Sequence, residues 1–142
     1  MAARTLEEFV DAVRGHVEAR AAEHADDRWW VLEPTLLSER RGVLHAGELR
    51  AAPDALRTLS REGPAGLPAV LGVRRAALAL HVDLLRGTSV EPAIVLVIVT
   101  PLVTAIQSAP VVRTDLGTPR LGTWAPAELD DDDVRSAVAG LA

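Results

Sequence analysis

The chain has 142 residues, 49% of them hydrophobic and 25% charged, with a formal net charge of −5 and no cysteine. A chain of that length matches one domain, residues 1–142, able to bury roughly two-thirds of its unfolded surface, and its balance of apolar and charged residues excludes a disordered polymer. The missing cysteine excludes disulfides, thiolate metal sites and cysteine nucleophiles, and the acidic balance opposes nucleic-acid binding, for which the Arg40-Arg41 and Arg74-Arg75 pairs are each too short a basic stripe.

The N-terminus, MAARTLEEF, runs directly into a charged amphipathic pattern and has no apolar core of a signal peptide, so a cytoplasmic protein is expected. Thr5 and Glu8 have capping-box spacing, and Leu6, Phe9, Val10, Val13 and Val17 recur at helical intervals, predicting an amphipathic helix over 5–24. Residues 29–37 and 43–49 then read as two strands around a turn at SERRG. Pro34 cannot donate to a ladder, which places the first of them at a sheet edge. Within that strand Trp29 and Trp30 must project to opposite faces. Trp30 shares a face with Leu32 and is expected in the core, whereas Trp29 shares one with Glu33 and is expected to anchor a partner.

PDALRTLSREG predicts a short helix with Pro53 in its first turn and Gly63 past its end, and GPAGLPAVLG a Pro/Gly-rich connection. RRAALALHVDLL is rich in helix formers, yet its strict alternation predicts a strand, paired across the loop RGTSVEP with a strand at 93–99. Thr100-Pro101 leaves helix and strand open for residues 101–108. The uncharged run Pro92 to Val112 has bilayer-spanning length, but its three prolines and Ile/Val content point to buried strands instead. VVRTDLGTPRLGTW reads as a hairpin with turn residues Asp115, Gly117 and Pro119, and Asp130 to Asp133 as the capped start of a helix containing Val134, Val138 and Leu141.

These elements predict an α+β fold, a mainly antiparallel sheet with N-terminal and C-terminal helices packed on it. The strand at 93–99 is apolar on both sides. Helix 1 can cover one face of the sheet; the other needs the terminal helix, a second subunit or another protein.

No catalytic residue, metal ligand set or cofactor motif is expected from the sequence. The four consecutive aspartates lack the glycine and alternating ligands of a calcium loop. Two functional classes follow. The first is a non-catalytic interaction or assembly subunit, an adaptor or chaperone-like protein, that presents an apolar sheet face or edge to a homo-oligomeric or different protein partner. No nucleic acid and no membrane is expected as partner. Trp29, Arg113, Asp115, Arg120 and Trp124 are the partner-binding candidates, because two arginines, a carboxylate and an indole at a turn can hold an anionic group. The second is a small-ligand-binding protein or small enzyme, in which His81 and Asp83, two apart on a strand, would combine with His45.

Overall fold

The computed structural model describes residues 5–23, 34–86, 88–113 and 119–139. Trp29 and Trp30 lie outside these residues.

Helix α1, Leu6–Glu23, begins where the spacing predicts, with the Thr5 hydroxyl oxygen accepting the Glu8 N–H at 3.1 Å. Strands β1, Thr35–Arg40, and β2, Val43–Glu48, follow. Their turn is only Arg41-Gly42, shorter than the five-residue SERRG expected, because both residues take positive φ (51° and 77°) and close a two-residue hairpin on the Arg40/Val43 pair. This turn geometry matches the right-handed twist of the strands but favours Asn or Gly at both positions. An arginine in the left-handed region costs about 1–2 kcal/mol.

The hairpin also corrects the expected edge. Strand order in the sheet is β2-β1-β3-β4-β5-β6, so β1 is flanked on both sides and β2 is the edge strand. Pro34 precedes the ladder, where its missing N–H costs nothing, and its carbonyl accepts the Leu49 N–H at 2.8 Å.

Helix α2, Pro53–Glu62, matches the expected span, with the Gly63 N–H closing on the Leu59 carbonyl at 3.2 Å. The segment read as a plain connection instead winds into a 3₁₀ turn, Pro64–Gly66, and a short helix α3, Leu67–Leu71. Pro68 sits at its start, where no N–H is needed, and Gly72 ends it in the left-handed conformation.

Strand β3, Ala76–Arg86, forms the expected hairpin with β4, Ser89–Val99, in continuous register from Ala76↔Val99 to Arg86↔Ser89. The predicted loop RGTSVEP is therefore mostly strand. Residues 104–113 resolve as strand β5, Thr104–Arg113. Thr100 starts the tight turn before it, its hydroxyl oxygen accepting the N–H groups of Leu102 and Val103 at 3.3 and 3.0 Å. The uncharged run is thus divided between β4 and β5, and no helix among the described residues is long and apolar enough to cross a membrane.

Strand β6, Pro119–Leu121, pairs with the end of β5, and β7, Ala125–Pro126, pairs with its middle. Pro119 therefore belongs to a strand. Helix α4, Asp131–Ala139, is capped reciprocally: Asp133 N–H donates to the Asp130 carboxylate at 2.9 Å and Asp130 N–H to that of Asp133 at 3.0 Å.

Among the described residues all strand pairings are antiparallel, and helices lie on both faces of the sheet. On one face Phe9, Val13, Val17 and Ala21 of α1 pack on Leu37, Ala77, Ala79, Ile94, Leu96 and Ile98. On the other, Leu36, Leu78, Leu80, Val95, Val97 and Val99 pack under Leu49, Leu59, Leu67, Val134 and Val138. The second face, expected to need a partner or the terminal helix, is covered by α2, α3 and α4 together. Alternate residues of β3 and β4 are apolar on both sides because each strand is buried on both faces.

Candidate functional site

Strand alternation decides which candidates can meet. His81 and Asp83 share the α1 face of β3 with Ala77 and Ala79. His45 pairs with Ser38, which pairs with Ala76, and that row belongs to the opposite face. The register thus keeps His45 away from the other two. Among the described residues no group of three or more His, Asp or Glu side chains is placed to hold a metal ion.

His81 is half-buried, and burial pushes its imidazole below the ordinary histidine range, with the nearby Asp83 carboxylate acting in the opposite sense. A histidine whose folded pKa is lowered binds fewer protons than in the unfolded chain, so its contribution to stability falls as pH drops through the unfolded value. Melting temperature is therefore expected to fall between about pH 7.5 and pH 5.5. His81→Gln should flatten that fall. An unchanged pH slope in the variant would remove His81 as its source.

On the α4 side a cleft of about 450 Å³ runs between β3, β4 and the helix, lined by Leu80, Val82, Val95, Leu129, Asp133 and Ser136, with His81 and Asp83 at its rim. It is mainly apolar, and the His81 and Asp83 side chains belong by alternation to the other face of the sheet.

The partner-binding candidates separate as well. Trp124 is half-buried against the α1-side core, its indole N–H donates to Glu18 at 2.9 Å, and the Arg14 guanidinium carbon lies 6.0 Å from its ring centroid. Arg14 also donates through Nε to the Gln107 side chain at 3.0 Å. Trp124 thereby fastens the segment after β6 to α1 and β5. Arg14 and Glu18 lie one turn apart on a single helix face, but no local pattern links them to Trp124 or Gln107. Arg120 is exposed on β6 opposite Val112, and Arg113 pairs with Pro119. The Arg113 side chain, Asp115 and Trp29 lie outside the described residues.

The pairs Arg40-Arg41 and Arg74-Arg75 are each too short for a basic stripe, and the fold puts them side by side. The β1–β2 turn and the chain entering β3 lie at the same end of the sheet, because β1 pairs with β3 from Thr35↔Ala79 to Ser38↔Ala76. Between them lies a shallow cleft of about 460 Å³ lined by all four arginines, Glu39, Gly42, Gly72 and Val73. Arg75 is half-buried, pairs with Glu39 at 3.5 Å and donates to the Thr5 carbonyl at 3.0 Å. Arg40 donates to the Leu71 carbonyl at 2.7 Å. Arg41 and Arg74 are exposed. Four arginines and one glutamate line the cleft, a formal excess of three positive charges in a chain of net −5; the Arg75 guanidinium pairs with Glu39 on the α1 side of the sheet, and that of Arg40 turns to the α3 side. Such a site can hold carboxylates or phosphates bidentately.

Leu102 and Val103, 93% and 52% exposed, continue this end of the sheet, since Val99 lies opposite Ala76 and the turn follows it. Searches of protein-family models, of curated proteins and of solved structures found no match to this chain.

Proposed function

We propose that this protein is a non-catalytic interaction subunit, an adaptor or chaperone-like binder of another protein, working through the β2 edge of its sheet. The observation that carries this reading is the state of that edge. All residues of β2 except Leu44 are exposed, and Val43 at the turn is 57% exposed. A two-residue hairpin closing on Arg40/Val43 directs the N–H groups of Val43, His45 and Gly47 toward β1 and those of Leu44, Ala46 and Glu48 outward. The Glu39 N–H bond to the Arg75 carbonyl, on the β3 side of β1, fits this phase.

Edge strands are ordinarily shielded by Pro, lysine, bulges or short length. Strand β2 runs six residues in unbroken register, and its small Ala46 and Gly47 leave the backbone accessible to an added strand. With both sheet faces covered by the chain's own helices, the edge takes over the role expected of an apolar face.

Ala46→Pro removes one outward donor and leaves the β1 ladder intact, so its stability change should stay below about 1 kcal/mol. Quantitative mass spectrometry of proteins retained by wild type and variant in the native host should show a stoichiometric partner lost on the substitution. Equal retention by a variant with an unchanged melt would refute edge binding. A second copy of the chain could add to the same edge, and sedimentation of the pure protein would reveal it as a dimer that Ala46→Pro dissolves.

A further inference from the structure

We infer that the arginine cleft beside the β1–β2 turn receives the carboxylates of an acidic peptide segment of a partner protein. This deepens the edge-binding reading and rests on it in one respect: a strand added to β2 ends next to the cleft.

Three observations converge. Among the described residues the cleft is lined by Arg40, Arg41, Arg74 and Arg75 and by one carboxylate, Glu39, which pairs with Arg75. Arg40 and Arg75 each donate to a backbone carbonyl, Leu71 on the α3 side and Thr5 on the α1 side, which fixes the two flanks of the cleft, and Arg40, Arg41 and Arg74 are all exposed. Arg41 also occupies a left-handed turn position that Gly or Asn would fill without strain, which places a guanidinium at the tip at a conformational cost.

Charge complementarity selects the occupant. A nucleic acid presents phosphates over a length far exceeding this cleft, and the remaining surface of a chain of net −5 repels it. A short acidic segment presents two or three carboxylates and no more. The exposed Leu102 and Val103 at the same end give an apolar neighbour to that segment contact surface of its own.

The test is fluorescence anisotropy with a labelled peptide of alternating Glu and Leu, and a Gln-for-Glu control peptide, against the full chain. The Glu peptide should bind, weaken as salt rises from about 0.05 to 0.3 M, and lose at least about tenfold in affinity on the double substitution Arg41→Glu and Arg74→Glu. Neither arginine makes a described structural bond, so the melt should stay unchanged; if it falls, Arg41→Gln and Arg74→Gln repeat the measurement. No binding, equal binding of the Gln peptide, or indifference to the arginine variants would overturn the inference. Full competition by millimolar inorganic phosphate would do so too, identifying a small-anion site. Ala46→Pro separates the two readings. Peptide binding that survives Ala46→Pro but not the arginine variants keeps the cleft and removes the edge, and the reverse pattern removes the cleft.

Discussion

Phe9→Ala is expected to cost about 3–5 kcal/mol of folding stability, the range for emptying a core aromatic site. Phe9 is fully buried and heads the row Phe9, Val13, Val17 and Ala21 by which α1 sits on the sheet. The polar links from α1, Arg14 to Gln107, Glu18 to Trp124 and the Thr5 carbonyl to Arg75, are exposed or partly buried. Such contacts contribute about 0–1 kcal/mol each. They orient the helix, and the apolar row holds it. Since a domain of this kind is stable by only about 5–15 kcal/mol, the variant should melt far below wild type or fail to fold. Denaturant titration of Phe9→Ala measures the cost, and a value below about 1 kcal/mol would mean that α1 contributes little to the core.

Local rules make α1, α2, the β3–β4 hairpin and the α4 cap readable in the sequence. Each depends on residues close in sequence: Thr5 with Glu8, Pro53 with Gly63, the alternation of Ala76 to Asp83, and Asp130 with Asp133. Helix α3 is hidden in the sequence because Pro and Gly ordinarily break helices, whereas here Pro68 and Gly72 occupy its two ends. The Arg41-Gly42 turn escaped because arginine rarely adopts positive φ, and the register of the whole hairpin moved with it.

The candidate sites depend on pairing between distant strands, which no local pattern contains. Residue type alone pairs His45 with His81, but the ladders through Ser38 and Ala76 set it on the other face. The same β1–β3 pairing joined Arg40-Arg41 to Arg74-Arg75, two dipeptides more than thirty residues apart. Shifting a strand by one residue reverses every side chain on it, so sites of this kind become visible only once register is known.

The second large effect concerns the face whose cover the sequence left open. Leu59 of α2 is fully buried among Leu49, Leu67 and Val134, and Leu59→Ala should cost about 2–5 kcal/mol. The dependence on protein concentration carries the further information. Where a face is covered by a second subunit, folding is linked to association and the melting temperature rises with protein concentration; where the chain's own helices cover it, the melt is independent of concentration. Helices α2, α3 and α4 supply that cover here. Wild type and Leu59→Ala should therefore each melt at a constant temperature over a roughly 100-fold range of concentration, with the variant lower throughout. A melt that climbs with concentration, together with a small effect of Leu59→Ala, would return the covering role to a partner subunit. Leu59 and Phe9 lie on opposite sides of the sheet, so their effects should add. The sum, about 5–10 kcal/mol, is comparable with the whole stability of a small domain. The double variant is expected to be unfolded at room temperature, with the far-UV circular dichroism of a disordered chain.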